Sequence, residues 1–222
     1  MTVNGKSITQ FGARLLASYK VGGSPIDIGY NKAHRGTAIA LLGTEIGLRT
    51  ITLPLDIRGS NERDCVLKKS QLDALLAGGK AELHLPDGFY YTAVLQSAGE
   101  ATQLLPGLIS CTYTLLGIQH DPLVSARSAG TLYARGTMPR MDCMLTATVG
   151  KAAAKYSFAG VTFDAVAAGD VLVLDGVTKR VLVNGAPAAQ RCDIVEWPYL
   201  TPGLNHLPCP DPVTVEYYPT YL

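Results

Sequence analysis

Charge is scarce in this sequence of 222 residues: 19 Lys and Arg and 18 Asp and Glu make up 17% of it, against about 25% in an average soluble domain. Neither sign prevails. The net charge is +1, with 11 basic and 10 acidic side chains up to residue 125 and 8 of each after it. A protein that binds nucleic acid by neutralising phosphates carries a basic face or a high pI, so specific nucleic-acid binding is excluded as the main role. Intrinsic disorder needs low hydrophobicity and high net charge, and this chain has neither. A coiled coil would need far more Glu, Lys and Ala.

Cysteine is sparse as well. Cys65, Cys111, Cys143, Cys192 and Cys209 are odd in number, and no two stand at C-x2-C or C-x4-C spacing. Neither a zinc site nor a disulfide framework is signalled; single cysteines beside apolar residues suit small buried side chains in a reducing cytosol. No apolar run approaches the roughly 20 residues that span a bilayer, and no N-x-[ST] sequon occurs. The start, MTVNGKSITQFGARLLASYK, has no apolar core and no small-residue cleavage site, so it is not a secretory signal. The expectation is a soluble protein made in a cytoplasm, with no membrane insertion.

Glycine and proline are plentiful, at 23 and 13 residues, which predicts many turns between short strands. The length suits one large domain or two small ones, at roughly 150 residues per domain. One helix is predicted, over about 61–77. Ser60 or Asn61 can cap it, Glu62 and Asp64 suit its first turn, and Gly78-Gly79 stops it. Cys65, Leu72, Leu75 and Leu76 share one face. Ser70 with Asp73 three residues on is a second start signal, which would break the helix near Lys69.

Strand signals fill the rest. RTITLPLDI at 49–57 alternates, with Ile51, Leu53, Leu55 and Ile57 on one side; Pro54 cannot donate to a ladder, which predicts a sheet edge or a bulge there. AELHL and FYYTAVL flank Pro86-Asp87-Gly88 as a hairpin. ISCTYTLLGI at 109–118 is a longer strand, buried on both faces towards its end. VSARSAG at 124–130 is the linker candidate. Beyond it, strands are predicted at 142–149, 156–163, 171–174, 179–183, 193–197 and 213–218. Asp175-Gly176 and Asn184-Gly185 suit tight hairpin turns. Short strands at this spacing predict a β-sandwich. The fold is mainly β: a domain over 1–125 with one helix, then an all-β sandwich over 131–222.

No catalytic constellation emerges, and no catalytic, cofactor-binding or metal residue is assigned. Gly5-Lys6-Ser7 matches only the tail of a P-loop, without the glycine-rich turn that wraps phosphates, and is expected to be a polar turn. His34, His84, His120 and His206 are scattered, each without a nearby Cys or His. Asp164, Asp170 and Asp175 could converge as acids, although each adjoins a turn and suits a solvated loop. Trp197 and Tyr199 in EWPYLTPG either stack on a sugar or close one end of the core. The sugar reading defines the alternative, a carbohydrate-binding sandwich that aids attachment to a host cell wall. Tyrosine outnumbers phenylalanine by 11 to 4, and the tail TVEYYPTYL gathers several, which suits a subunit interface.

Taken in order, SITQFGARLLASYKVG, IGLRTITLPLDIRG, the helix, ELHLPDGFYYTAVL, ISCTYTLLGIQHDPL, VLVLDGVTKRVLVNG, EWPYLTPGLNHL and VTVEYYPTYL resemble the distal tail proteins of long non-contractile-tailed phages and their prophage relatives. The stretch from Pro198 to Asn205 resembles that family's closing Pro-x-Leu-x-Pro-Gly-x-Asn turn. The resemblance runs from about Ile8 to Leu222, carried by the order of weak motifs rather than by any one.

It implies a structural virion protein and no enzyme. Such proteins form a ring of six at the virion tail tip, made by the N-terminal β-sandwich-like domains, through whose channel DNA passes. A C-terminal galectin-like β-sandwich projects outward as a docking surface for receptor-binding or peripheral baseplate proteins. Other partners implied are the tail tube protein and the tail-associated hub protein, and no cofactor is implied. Larger relatives carry inserted sugar-binding modules for which this length leaves no room, so direct host recognition is not expected. The strand RTITLPLDI or the glycine-rich stretch 22–47, read as a loop or arm, is expected to take part in ring contacts.

Overall fold

The computed structural model describes residues 1–32 and 39–222. Among the described residues the chain is mainly β, with one α-helix and strands paired antiparallel. It divides into two compact units, Met1–Gln119 with Leu222, and His120–Tyr221.

In the first unit, strands follow one another across a sheet in the order Lys6–Ser7, Thr2–Val3, Lys80–His84, Tyr90–Ala98, Leu108–His120, Arg49–Arg58 and Ala13–Leu15. Ile51, Leu53, Leu55 and Ile57 are all buried, as the alternation predicts. Their core includes Tyr113 and Leu115 from the neighbouring strand and Cys65, Leu72 and Leu76 from the helix. A sheet face that meets an amphipathic helix removes apolar surface from both, which is the main gain in burying either.

The helix runs unbroken over Glu62–Ala77. Asn61 is its cap: its side-chain oxygen accepts from the Asp64 N–H at 3.0 Å, while Asp64 reaches back to the Ser60 N–H at 2.8 Å. The helix forms in one piece, as predicted over 61–77, without the break near Lys69 that the second start signal allowed. Asp73 has other work, accepting from Lys69 Nζ at 2.9 Å and from the Tyr113 hydroxyl at 2.5 Å, so it does not start a second helix with Ser70.

Pro54 does not mark a bare edge or a bulge. Strand Arg49–Arg58 is paired in unbroken register with Leu108–Gly117 on one side. On the other side it meets two short strands, Ala13–Leu15 and Lys20–Val21. The Pro54 carbonyl accepts from the Leu16 N–H at 3.0 Å, so its donorless nitrogen faces the gap between those two strands. No ladder bond is lost there.

The hairpin around Pro86-Asp87-Gly88 forms as expected, with His84 opposite Tyr90 and Gly88 at φ +87°. The Asp87 carboxylate holds it by accepting from the Phe89 N–H and the Tyr91 hydroxyl. Strand Leu108–His120 ends on two consecutive buried residues, Gln119 and His120. The glycine-rich stretch is a two-stranded arm, Ile26–Lys32 paired with Ile39–Ile46, bulged where Gly29 gives way to Tyr30.

The second unit has a main sheet in the order Val124–Ser128, Val213–Tyr217, Met141–Thr148, Val171–Asp175, Arg180–Val183 and Ala186–Pro187. A smaller sheet of Ala153–Phe158, Val161–Val166 and Cys192–Asp193 shares its core, where Leu145, Leu172 and Val215 join Phe158 and Phe163. A separate ribbon pairs Thr131–Ala134 with Gly203–His206.

Three expectations are corrected here. The predicted linker begins as a strand, Val124–Ser128, because its backbone completes the edge of Val213–Tyr217. The predicted strand 156–163 is a hairpin that turns at Ala159 and Gly160, with φ of +48° and +84°. Of 193–197, only Asp193 is in a strand. The Asn184-Gly185 turn forms as expected, both residues at positive φ. Asp175-Gly176 instead opens a longer loop, in which the Asp175 carboxylate accepts from the Val177 and Thr178 N–H groups at 2.9 Å each.

Candidate interaction surface

The residues singled out for chemistry are occupied in local structure. Gly5-Lys6-Ser7 belongs to a small hairpin: Asn4 and Gly5 form the turn at φ +49° and +75°, with Val3 opposite Lys6. His84 stacks on Tyr90, its cross-strand partner, at 4.5 Å between ring centres. His120 is buried, with Nδ1 2.8 Å from the Asp121 carbonyl and its ring edge-on to Tyr218. His206 lines a recess described below, and His34 lies outside the described residues.

The three loop acids do not converge. Asp164 pairs with Lys155, Asp170 holds the Ala167 N–H and the Asn184 amide, and Asp175 closes its own loop. Hydrogen bonds from Ala167 and Asn184 hold the Asp170 carboxyl below the usual carboxylate range. At Asp175 burial works upward, but the bonds from Thr178 and Val177 outweigh it and the net shift is downward. Among the described residues, no group of three or more His, Cys, Asp and Glu could hold a metal ion. No described helix is long and apolar enough to cross a membrane.

Trp197 and Tyr199 line an open recess of about 360 Å³ together with Val195, Glu196, Pro198 and His206. Trp197 is half-buried against the core of its unit. The Lys179 ammonium lies 5.9 Å from its ring centre, and the Arg140 guanidinium lies 4.2 Å from that of Tyr199. Those cations are tied in turn, Lys179 to Asp142 at 3.2 Å and Arg140 to Glu196 at 2.8 Å. Trp197 thus packs on the core as one of the two expected readings has it, while both rings also line the recess beside these charges.

The tyrosines of the tail are largely inward. Tyr217 is buried and its hydroxyl accepts from the Arg135 N–H at 3.0 Å. Tyr221 donates to Asp121 at 2.6 Å, and that bond together with burial pushes its pKa up to about 12. Tyr218 is exposed. An interface through these rings was the expectation; two of the three are spent on internal bonds.

The arm offers much more. Its register puts Ile26, Ile28 and Tyr30 on one face, opposite Ile46, Thr44 and Leu41. Leu41 is 70% exposed and Tyr30 59%, and Ile26 and Ile28 are also open. Gly29 and Gly43 face each other on the opposite side, beside Asp27 opposite Glu45. A two-stranded ribbon is marginal in water by itself, and an open apolar face of this kind marks an interaction site. The sequence marked this stretch as a loop or arm without its strands; the bulge falls on the second strand, where Leu42 is passed over between Gly43 and Leu41 and the period of two breaks.

No family model matches the chain, and no curated protein matches it in sequence. Solved structures do. The SPP1 Dit protein, described as a paradigm of the hub adsorption apparatus in phages infecting Gram-positive bacteria, is similar over 99% of this chain and 98% of its own, with a TM-score of 0.76 and 13% identity. A chain of the phage P2 baseplate, in its activated conformation with Ca, is similar over 96% of this chain and 92% of its own, with a TM-score of 0.52 and 9% identity. From end to end, this chain has the fold of a phage Dit protein.

Proposed function

We propose that this chain is a phage or prophage distal tail protein of the siphophage type, a structural hub at the virion tail tip. The observation that carries this reading is the end-to-end fold likeness to the SPP1 Dit protein, across both units rather than one. The likeness to a baseplate chain is consistent with it. On this reading the N-terminal unit, residues 1–125, forms a ring of six joining the tail tube to the baseplate. The C-terminal unit, residues 131–222, is a galectin-like sandwich that offers a docking surface to receptor-binding or peripheral baseplate proteins. DNA passes through the ring without specific contacts, and the protein catalyses nothing.

Physical features support an assembly role. A ring closes when a head-to-tail contact repeats with the right rotation, and such contacts need apolar surface left open on the single chain. The arm supplies it. Negative-stain micrographs and light scattering of the purified chain test the reading. Six-membered rings are expected; a chain that stays monomeric at high concentration and also fails to join isolated tail tubes would overturn it.

A further inference from the structure

The recess on the second unit gathers aromatic and polar groups that a structural hub leaves unused. Trp197, Tyr199 and His206 converge on it, the first two around the start of strand Tyr199–Leu200 and the third from the end of Gly203–His206. The turn Ala159-Gly160 forms another wall, fixed by the Ala159 N–H, which donates to the Pro208 carbonyl at 2.9 Å. The polar atoms of the three rings are unspent. Tyr91, Tyr113, Tyr156 and Tyr221 donate their hydroxyls to carboxylates of the protein. Among the described residues, the Trp197 indole N–H, the Tyr199 hydroxyl and the His206 ring nitrogens make no hydrogen bond.

Charge beside the recess is balanced. Lys179 pairs with Asp142 and Arg140 with Glu196, so a charged ligand would have to break a pair that a neutral one leaves intact. Neither cation is among the walls, so each ring meets its cation on one side and the recess on another. Beyond His206 the surface continues as a platform. Tyr133 stands opposite Leu204 in the ribbon, and both share a face with His206, roughly 7 Å along the strand from Leu204. Tyr133 is 72% exposed and Leu204 is also open. No ring or cation among the described residues covers Tyr133, so its face is clear.

We propose that this surface binds a neutral saccharide, with one sugar unit in the recess and the next along the ribbon on Tyr133. A sugar presents two kinds of surface, and the protein answers both. Its hydroxyls exchange hydrogen bonds with the unspent donors and acceptors of Trp197, Tyr199 and His206. Its face of C–H groups rests on an aromatic ring, whose negative face attracts positively polarised hydrogens. The volume, about 360 Å³, is that of a small-ligand site with a few placed polar groups. Such a site belongs to the sandwich itself and needs no inserted module. It is also separate from ring closure, since recess and ribbon both lie in the second unit.

Trp197 is the single tryptophan of the chain, so its fluorescence reads the recess directly. The full chain is titrated with glucose, galactose, mannose and N-acetylglucosamine, and with short oligosaccharides of each. A saturable shift of the emission is expected. His206→Ala should weaken all binding about tenfold, the worth of about one hydrogen bond. Tyr133→Ala should weaken the oligosaccharides by a similar factor and spare the monosaccharides, a split that a loss of folding would not give. Both residues are exposed, so the unfolding temperature should hold; if either variant lowers it, His206→Phe and Tyr133→Ser carry the same test. If no sugar shifts the emission, or if either variant binds oligosaccharides as the parent does, the proposal is overturned. An emission shift caused only by another tail-tip protein overturns it too, and assigns the surface to protein docking. Ring formation is read separately by micrographs and light scattering, so none of these results decides the hub reading.

Discussion

Asn205 and Thr201 clasp each other from both ends of one side chain. The Asn205 amide donates to the Thr201 carbonyl at 2.8 Å, while its oxygen accepts from the Thr201 N–H at 2.8 Å. A further bond runs from the amide to the Gly203 carbonyl at 3.0 Å, across a glycine at φ +96°. Only a buried side chain with both donor and acceptor can close the turn this way, which accounts for an Asn at the end of Pro-x-Leu-x-Pro-Gly-x-Asn.

Asn205→Asp should therefore destabilise the protein well beyond an ordinary surface change. It removes the donor and leaves a carboxylate facing two carbonyls, a loss of about 1–3 kcal/mol for unsatisfied buried groups. Urea unfolding curves of the two proteins measure it. An unchanged midpoint would mean that the clasp does not hold the turn.

Tyr113→Phe should cost less, about 1 kcal/mol, the net worth of one hydrogen bond. The ring stays buried between helix and sheet, and Asp73 keeps its bond to Lys69. Burial, followed by the bond to Asp73, drives the Tyr113 hydroxyl far above its ordinary pKa, so the wild-type ring should show no ionisation by ultraviolet titration until the protein unfolds.

Acid should destabilise the fold in a defined window. Asp64 is held below the usual carboxylate range by the Ser60 N–H and then Lys68, and Asp170 and Asp175 are lowered as described above. A carboxyl whose folded pKa is depressed adds stability that is present above its unfolded pKa and lost as pH falls through the folded one. The unfolding temperature should therefore stay level down to about pH 4, near the unfolded value, and fall below it. A decline that began near neutrality would point to other groups.

Thiol labelling should divide the cysteines by depth. Cys65, Cys111 and Cys143 are buried, and burial ahead of neighbouring charge pushes Cys143 up to about 12. Only the half-buried pair, Cys192 and Cys209, should react in the native protein, and all five in denaturant. Rapid native labelling of Cys143 would contradict the packing beneath Pro198, whose carbonyl accepts from its thiol.

Local patterns in the sequence determined the strand over 49–58, the helix over 62–77 and the turns at Asn184-Gly185 and Pro86-Asp87-Gly88. Alternation, capping and positive-φ dipeptides act over a few neighbouring residues, and any chain carrying them is biased the same way. The order of those pieces also sufficed to suggest the family whose fold the chain proves to have.

Tertiary structure decided the rest. Pro54 is tolerated inside the sheet only because two short strands leave a gap opposite it. Val124–Ser128 is a strand because the edge of Val213–Tyr217, far along the chain, lies open to it. Asp73 serves Tyr113, 40 residues away, rather than a helix start beside it. The arm's open face also belongs to this class: Ile28 and Leu41 share a side only once the bulge has set the register. Each of these outcomes depends on what lies across the sheet, and hydrogen-bond partners and buried area are shared between residues that the sequence keeps apart.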